Sequence, residues 1–208
     1  MDSRKICYSC YRPQSSCMCQ YISPINTNTK FIILMHPKEY RKTKNGTGHF
    51  TNKSLTNSKL FIGINFSENS TINSIINNKN NECFLLYPGK DSINLSTTPL
   101  KSKKNLVVFI IDSTWPCSKK ILRLSKNLQE LKKISFDNTI SSNFFIKTQP
   151  SEYCLSTIES TLEILKLLEK NKIENINENI LKEFIKPFTK MVEYQIECAK
   201  ELNTIRYK

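Results

Sequence analysis

The feature that most constrains the fold is the run LVVFIID at residues 106–112, followed by Ser113-Thr114-Trp115-Pro116. Six consecutive apolar residues, mostly β-branched or aromatic, read as a strand buried on both faces, the kind found inside parallel sheets. The strand stops at Asp112, and Pro116 suits the first turn of a helix because its missing N–H is not needed there. Open α/β sheets bind ligands beyond the carboxyl ends of such strands. Asp112, Ser113, Thr114 and Trp115 are therefore candidates for a site. An acidic turn residue beside a packed Trp is the competing reading, and the local pattern leaves both open.

Other apolar runs repeat the signal. Residues 30–35 (KFIILM) read as a strand that runs into His36-Pro37-Lys38-Glu39. A basic loop with glycine then follows over residues 40–49 (YRKTKNGTGH), of a kind suited to phosphate contacts. A polar helix is expected over 52–58, a short strand over 60–64 and a marginal helix within 67–81. The next strand covers 83–87 and ends in Pro88-Gly89, a turn that brings backbone to the same sheet edge. Residues 97–104 read as a linker. A helix is expected over 119–131 and short strands over 133–136 and 143–147, with Thr148-Gln149-Pro150 as a break. Ile158, Leu162, Leu165 and Leu168 share one face of a strong helix. Ser156 and Glu159 form a capping-box pattern at its start, which by itself accounts for both residues. After a polar connector over 171–179, a last amphipathic helix spans 180–202 and carries Pro187, where a bend is expected. Strands alternating with helices indicate a mostly parallel sheet with helices on both faces.

Hydrophobic residues are 38% of the 208, low for a globular chain but above the disordered range. Lys and Arg outnumber Asp and Glu by 31 to 18, for a net charge of +13. That excess favours a polyanionic partner, since displacing counterions from phosphates drives association. A lysine-rich surface that merely aids solubility is the alternative. No apolar leader is visible in MDSRKICYSC, and no run approaches the ~20 apolar residues of a membrane span. A cytoplasmic protein without membrane contact is expected, and in that compartment thiols stay reduced.

Four of the eight cysteines, Cys7, Cys10, Cys17 and Cys19, crowd the first 19 residues with spacing C-x2-C-x6-C-x1-C. Four thiolates in a short polar segment suit a structural Zn²⁺, whose binding supplies folding energy that so small a segment lacks. Cys83, Cys117, Cys154 and Cys198 are scattered and read as packing residues. Two units follow: a metal-binding segment over 1–28 and an α/β domain over 29–208. Neither G-x-G-x-x-G nor G-x4-G-K-S/T occurs, which disfavours a Rossmann dinucleotide site and a P-loop. No nucleophile elbow is present, so covalent catalysis lacks support.

Four features in this order resemble the DTW-domain family of tRNA-uridine aminocarboxypropyltransferases: the tetracysteine start, His36-Pro37-x-Glu39, Asp112-x-Thr114-Trp115 and Ser156-x-x-Glu159. The stretch Lys147-Thr148-Gln149-Pro150 is similar too, and together they span essentially the whole chain. The resemblance implies a SPOUT-like sheet with a C-terminal knot. It also implies S-adenosylmethionine as co-substrate, whose 3-amino-3-carboxypropyl group goes to N3 of a tRNA uridine.

By the same resemblance Asp112, Thr114 and Trp115 are the catalytic candidates. Tyr87, Pro88, Gly89, Asp112, Ser113, Thr114, Leu155, Ser156, Thr157 and Glu159 would hold the co-substrate. His36, Glu39, Arg41, Lys42, Lys44, Asn45 and Thr47 would meet RNA. A carboxylate near N3 helps by taking its proton, which makes Asp112 the candidate base and also a candidate holder of the ammonium. Trp115 suits stacking on a base as well as core packing. Two further functions fit parts of the pattern: a SPOUT-type RNA methyltransferase, and a non-catalytic zinc-ribbon RNA-binding protein. A monomer is expected.

Overall fold

The computed structural model describes residues 5–10, 12–42, 46–137, 142 and 155–201, with backbone alone at 41, 42 and 201. Six strands form one sheet: β1 (Lys30–Met35), β2 (Ser58–Ile62), β3 (Asn81–Leu86), β4 (Ser92–Asn94), β5 (Asn105–Asp112) and β6 (Lys132–Ser135). Their order is β2-β1-β5-β3-β6-β4, and every pairing is parallel. The long apolar run thus lies centrally, as β5, between β1 and β3. Met35 pairs with Asp112, so β1 and β5 end at the same level.

Among the described residues seven α-helices flank the sheet: α1 (Pro37–Lys42), α2 (Thr47–Ser54), α3 (Ser70–Asn77), α4 (Trp115–Leu124), α5 (Lys126–Gln129), α6 (Thr157–Lys170) and α7 (Glu178–Glu201). The two-residue period of β5 divides its side chains between two cores. Val108 and Ile110 join Ile158, Leu165 and Phe184 of α6 and α7. Val107 and Phe109 join Ile72, Ile121 and Leu128 of α3, α4 and α5. Burial of each such side chain contributes roughly 1.5–3 kcal/mol, which is why an unbroken apolar run is needed here.

Several expectations require correction. Residues 40–49 are not one loop: Pro37 begins α1, and α2 starts at Thr47 with Gly46 as its N-cap. The helix expected over 52–58 is therefore α2, several residues earlier. Residues from Ser58 onward pair with β1 instead, two residues ahead of the strand expected over 60–64. The helix expected over 119–131 starts at Trp115 and breaks at Ser125, which is non-helical and fully buried. The Ser125 hydroxyl accepts the Phe66 amide at 3.0 Å; serving another segment's backbone overrides its place in a helix. The edge strand β4, three residues long and paired only to β6, was not anticipated. The strand expected over 143–147 and the stretch 147–150 lie outside the described residues.

At the sheet's opposite end, Glu174 is buried and accepts the amides of Asn28 at 2.9 Å and Thr29 at 2.6 Å. That carboxylate ties the residues following α6 to the entry of β1. No helix among the described residues is long and apolar enough to cross a membrane.

Candidate functional site at the end of the central strand

Asp112 ends β5 and is 7% exposed. Three helices begin around it. Thr157, the first residue of α6, donates its hydroxyl to Asp112 Oδ1. Gly48, in the first turn of α2, lies so close that a Cβ there would overlap Oδ2, at 2.7 Å from Asp112 Cγ and 2.9 Å from Met35 Cε. The third is α4, which starts at Trp115, three residues after Asp112. Helix N-termini present unpaired N–H groups and partial positive charge, so their convergence favours negative charge at this point. A carboxylate from the chain and an anionic group of a ligand are both suited to it.

The His36 amide donates to the Asp112 carbonyl at 3.1 Å, extending the β1–β5 ladder past the strand ends. His36 is buried, and Nδ1 accepts the Lys38 amide at 3.1 Å, which leaves the proton of a neutral ring on Nε2. Burial lowers the pKa of His36 and also that of His49, which stacks at a tilt on Tyr40 with centroids 5.5 Å apart. Those rings link α1 to α2. Thr47 is buried, with its carbonyl taken by the Thr51 hydroxyl at 2.9 Å, while Glu39 is half-buried. Arg41 and Lys42 belong to α1, and Lys44 and Asn45 lie outside the described residues.

Trp115 is 39% exposed and meets Tyr87 edge to face, with centroids 6.1 Å apart. Tyr87 continues β3, so the pair forms an aromatic rim along the carboxyl edge of adjacent strands. Pro88, Gly89 and Thr114 are exposed beside it, and a Cβ at Gly89 would touch nothing within 4 Å. The Ser113 hydroxyl donates to the Thr114 carbonyl at 3.2 Å.

Ser156 and Glu159 form the capping box expected from their spacing. Glu159 Oε2 accepts the Ser156 amide at 2.8 Å and its hydroxyl at 2.6 Å, and Ser142 donates to both carboxylate oxygens at 3.0 and 2.8 Å. Glu159 is buried, and its oxygens are engaged in holding the entry of α6, with Leu155 half-buried just before. Its neighbour Thr157 reaches Asp112. Gly48 is the site residue that pattern reading missed. A glycine inside a helix costs about 1 kcal/mol against alanine and usually has a packing reason, and that reason here is Asp112.

The four N-terminal cysteine sulfurs lie within 4.8 Å of one another, and Cys10 Sγ approaches Cys17 Sγ at 3.6 Å. Four half-buried thiols at this separation fit one tetrahedral metal ion with bonds of about 2.3 Å. Amides of Cys10 and Ser9 lower the Cys7 thiol to about 6, whereas burial pushes the Cys10 thiol up to about 12 and raises that of Cys17.

A family model described as DTW domain matches residues 4–196. The tRNA-uridine aminocarboxypropyltransferase 2 of Macaca fascicularis is 30% identical over 204 residues, covering 96% of this chain and 66% of that protein. The protein of the same name from Mus musculus is 28% identical, covering 97% and 67%. That of Drosophila melanogaster is 26% identical, covering 94% and 77%. The chain thus spans about two thirds of the length of the two mammalian relatives. No solved structure matches.

Proposed function

The chain belongs to the DTW domain family, and we propose that it is a tRNA-uridine aminocarboxypropyltransferase with S-adenosylmethionine as donor. The observation that carries this reading is similarity to proteins of that name over 94–97% of the chain. The donor supplies an electrophilic γ-carbon next to its sulfonium: uridine N3 forms the new N–C bond, and the C–S electron pair leaves on sulfur as methylthioadenosine. Atoms balance when N3 gives up its proton.

The residues around Asp112 suit that chemistry without covalent catalysis. A buried carboxylate steadied by Thr157 can take the N3 proton, or hold the ammonium of the reacting arm so that N3, carbon and sulfur align. The N-terminus of α4, where Thr114 supplies no side-chain cap, suits the arm's carboxylate. Because Glu159 is engaged by Ser142 and Ser156, its part is to fix α6 and so the Thr157–Asp112 contact. The Tyr87–Trp115 rim offers a face for adenine or uracil. Arg41, Lys42, Lys44 and Asn45 are proposed to meet tRNA phosphates.

The all-parallel sheet with its central β5 is compatible with a SPOUT-like arrangement, and a C-terminal knot belongs to this proposal. Zinc is the metal proposed for Cys7, Cys10, Cys17 and Cys19. Metal analysis of the purified protein should find about one zinc per chain, and Cys10→Ser should lower both metal content and melting temperature. Full metal retention in that variant would contradict the assignment.

A chromatogram of the small-molecule product tests the reaction. With tRNA present, the expected by-product is methylthioadenosine. S-adenosylhomocysteine would instead mark a methyltransferase, and no turnover with intact tRNA binding would mark a non-catalytic RNA-binding protein.

A further inference from the structure

Residues 5–7 and 12–14 pair as the two arms of a hairpin. The Cys7 amide donates to the Arg12 carbonyl at 2.7 Å and the Gln14 amide to the Lys5 carbonyl at 2.9 Å, with Ile6 opposite Pro13. The tip, Cys7-Tyr8-Ser9-Cys10, carries the first two thiols of the metal cluster.

The hairpin is pinned to α2 at two points. Lys53 Nζ donates to the Ser9 carbonyl at 2.6 Å and to its hydroxyl at 2.8 Å. Arg12, only 2% exposed, lies over the Phe50 ring at 5.4 Å and donates to the Ser16 carbonyl at 3.2 Å. The other end of the same helix holds Gly48 against Asp112. Gly48 and Lys53 are five positions apart, a rise of about 7.5 Å along the helix axis. One helix therefore carries both a contact to the metal-binding tip and a contact to the candidate site.

Just before Ser9 in the chain, Tyr8 is 91% exposed and Ile6 is 50% exposed. Single exposed aromatics are ordinary on flexible surfaces. In a hairpin fixed by two anchoring contacts and a thiol cluster, an outward ring loses little conformational freedom when something stacks on it. The chain carries a net charge of +13, with Lys5 in the hairpin itself. This charge selects a polyanion over an apolar protein surface as the occupant, and unpaired RNA bases stack on aromatic rings while their phosphates meet cations.

We propose that the Cys7–Cys10 tip is a second RNA contact, in which Tyr8 stacks on an unpaired base near the one being modified. The inference rests on tRNA being the substrate.

The test is tRNA affinity for wild type, Tyr8→Ala, Tyr8→Leu and Tyr8→Trp, measured beside metal content, melting temperature and donor affinity. Loss of one stacked base predicts roughly 5- to 150-fold weaker binding in the Ala and Leu variants. The Trp variant should bind like wild type, and the other three measurements should not move. Wild-type affinity in Tyr8→Ala, or rescue by Tyr8→Leu, would overturn the stacking role while leaving the tRNA reading in place. Failure of the wild-type protein to bind tRNA at all would remove both.

Discussion

Replacing Asp112 by Asn should lower turnover by ~10²- to 10⁴-fold in a protein that still folds, the usual scale for losing general acid–base help. The amide has the carboxylate's shape, so its oxygen can keep the hydroxyl bond from Thr157. What disappears is the charge at the point where α2, α4 and α6 begin. Weakening one charge-assisted hydrogen bond costs about 1.5–3 kcal/mol, or roughly 3–12 °C in melting temperature for a chain of this size. Single-turnover rates at saturating donor and tRNA, with a separate donor titration, assign the role. A slow reaction at saturation makes Asp112 the base; a defect confined to donor affinity makes it the holder of the ammonium. A stable variant with wild-type rate and affinity would remove Asp112 from the mechanism.

The second large effect is expected from Gly48→Ala. Helix propensity alone predicts a gain of about 1 kcal/mol, since alanine is the better helix former. Packing reverses the sign: the added methyl would meet the Asp112 carboxylate and Met35 Cε. Either α2 shifts outward or Asp112 turns from Thr157, at an overpacking cost of about 1–3 kcal/mol. A displacement near 1 Å at a reacting group costs about 100-fold in rate. The expected outcome is a lower melting temperature together with turnover reduced by about two orders of magnitude. A more stable protein with full turnover would show that Gly48 merely occupies a loose helix.

The parts of this arrangement that local pattern reveals are those set by neighbours in sequence. The apolar runs of β1 and β5 have no place but a buried sheet, and Ser156 with Glu159 forms its capping box within four residues. The tetracysteine spacing belongs to the same class, and the four sulfurs do gather. Contacts between distant segments left weaker traces. Thr157 and Asp112 are 45 residues apart, and nothing around either residue reveals their bond.

Residues 40–49 looked like a loop because lysines and glycines dominate them. Yet Gly46 caps α2, and Gly48 is needed for close approach to Asp112 rather than for flexibility. Ser125 breaks the α4–α5 segment because it serves the Phe66 amide, a partner no periodicity shows. Glu174 gave no signal either, since its partners are backbone amides at the start of β1. In each case a tertiary hydrogen bond or contact decided what propensity could not.

The proposed attachment of an aminocarboxypropyl group to a tRNA uridine can be read out by nucleoside mass spectrometry of tRNA incubated with the purified protein and S-adenosylmethionine. The expected product is 3-(3-amino-3-carboxypropyl)uridine in amounts equal to the methylthioadenosine released, formed about 100-fold or more slowly by Asp112→Asn. A methylated nucleoside, or tRNA left unmodified by a protein that binds both substrates, would contradict that proposal.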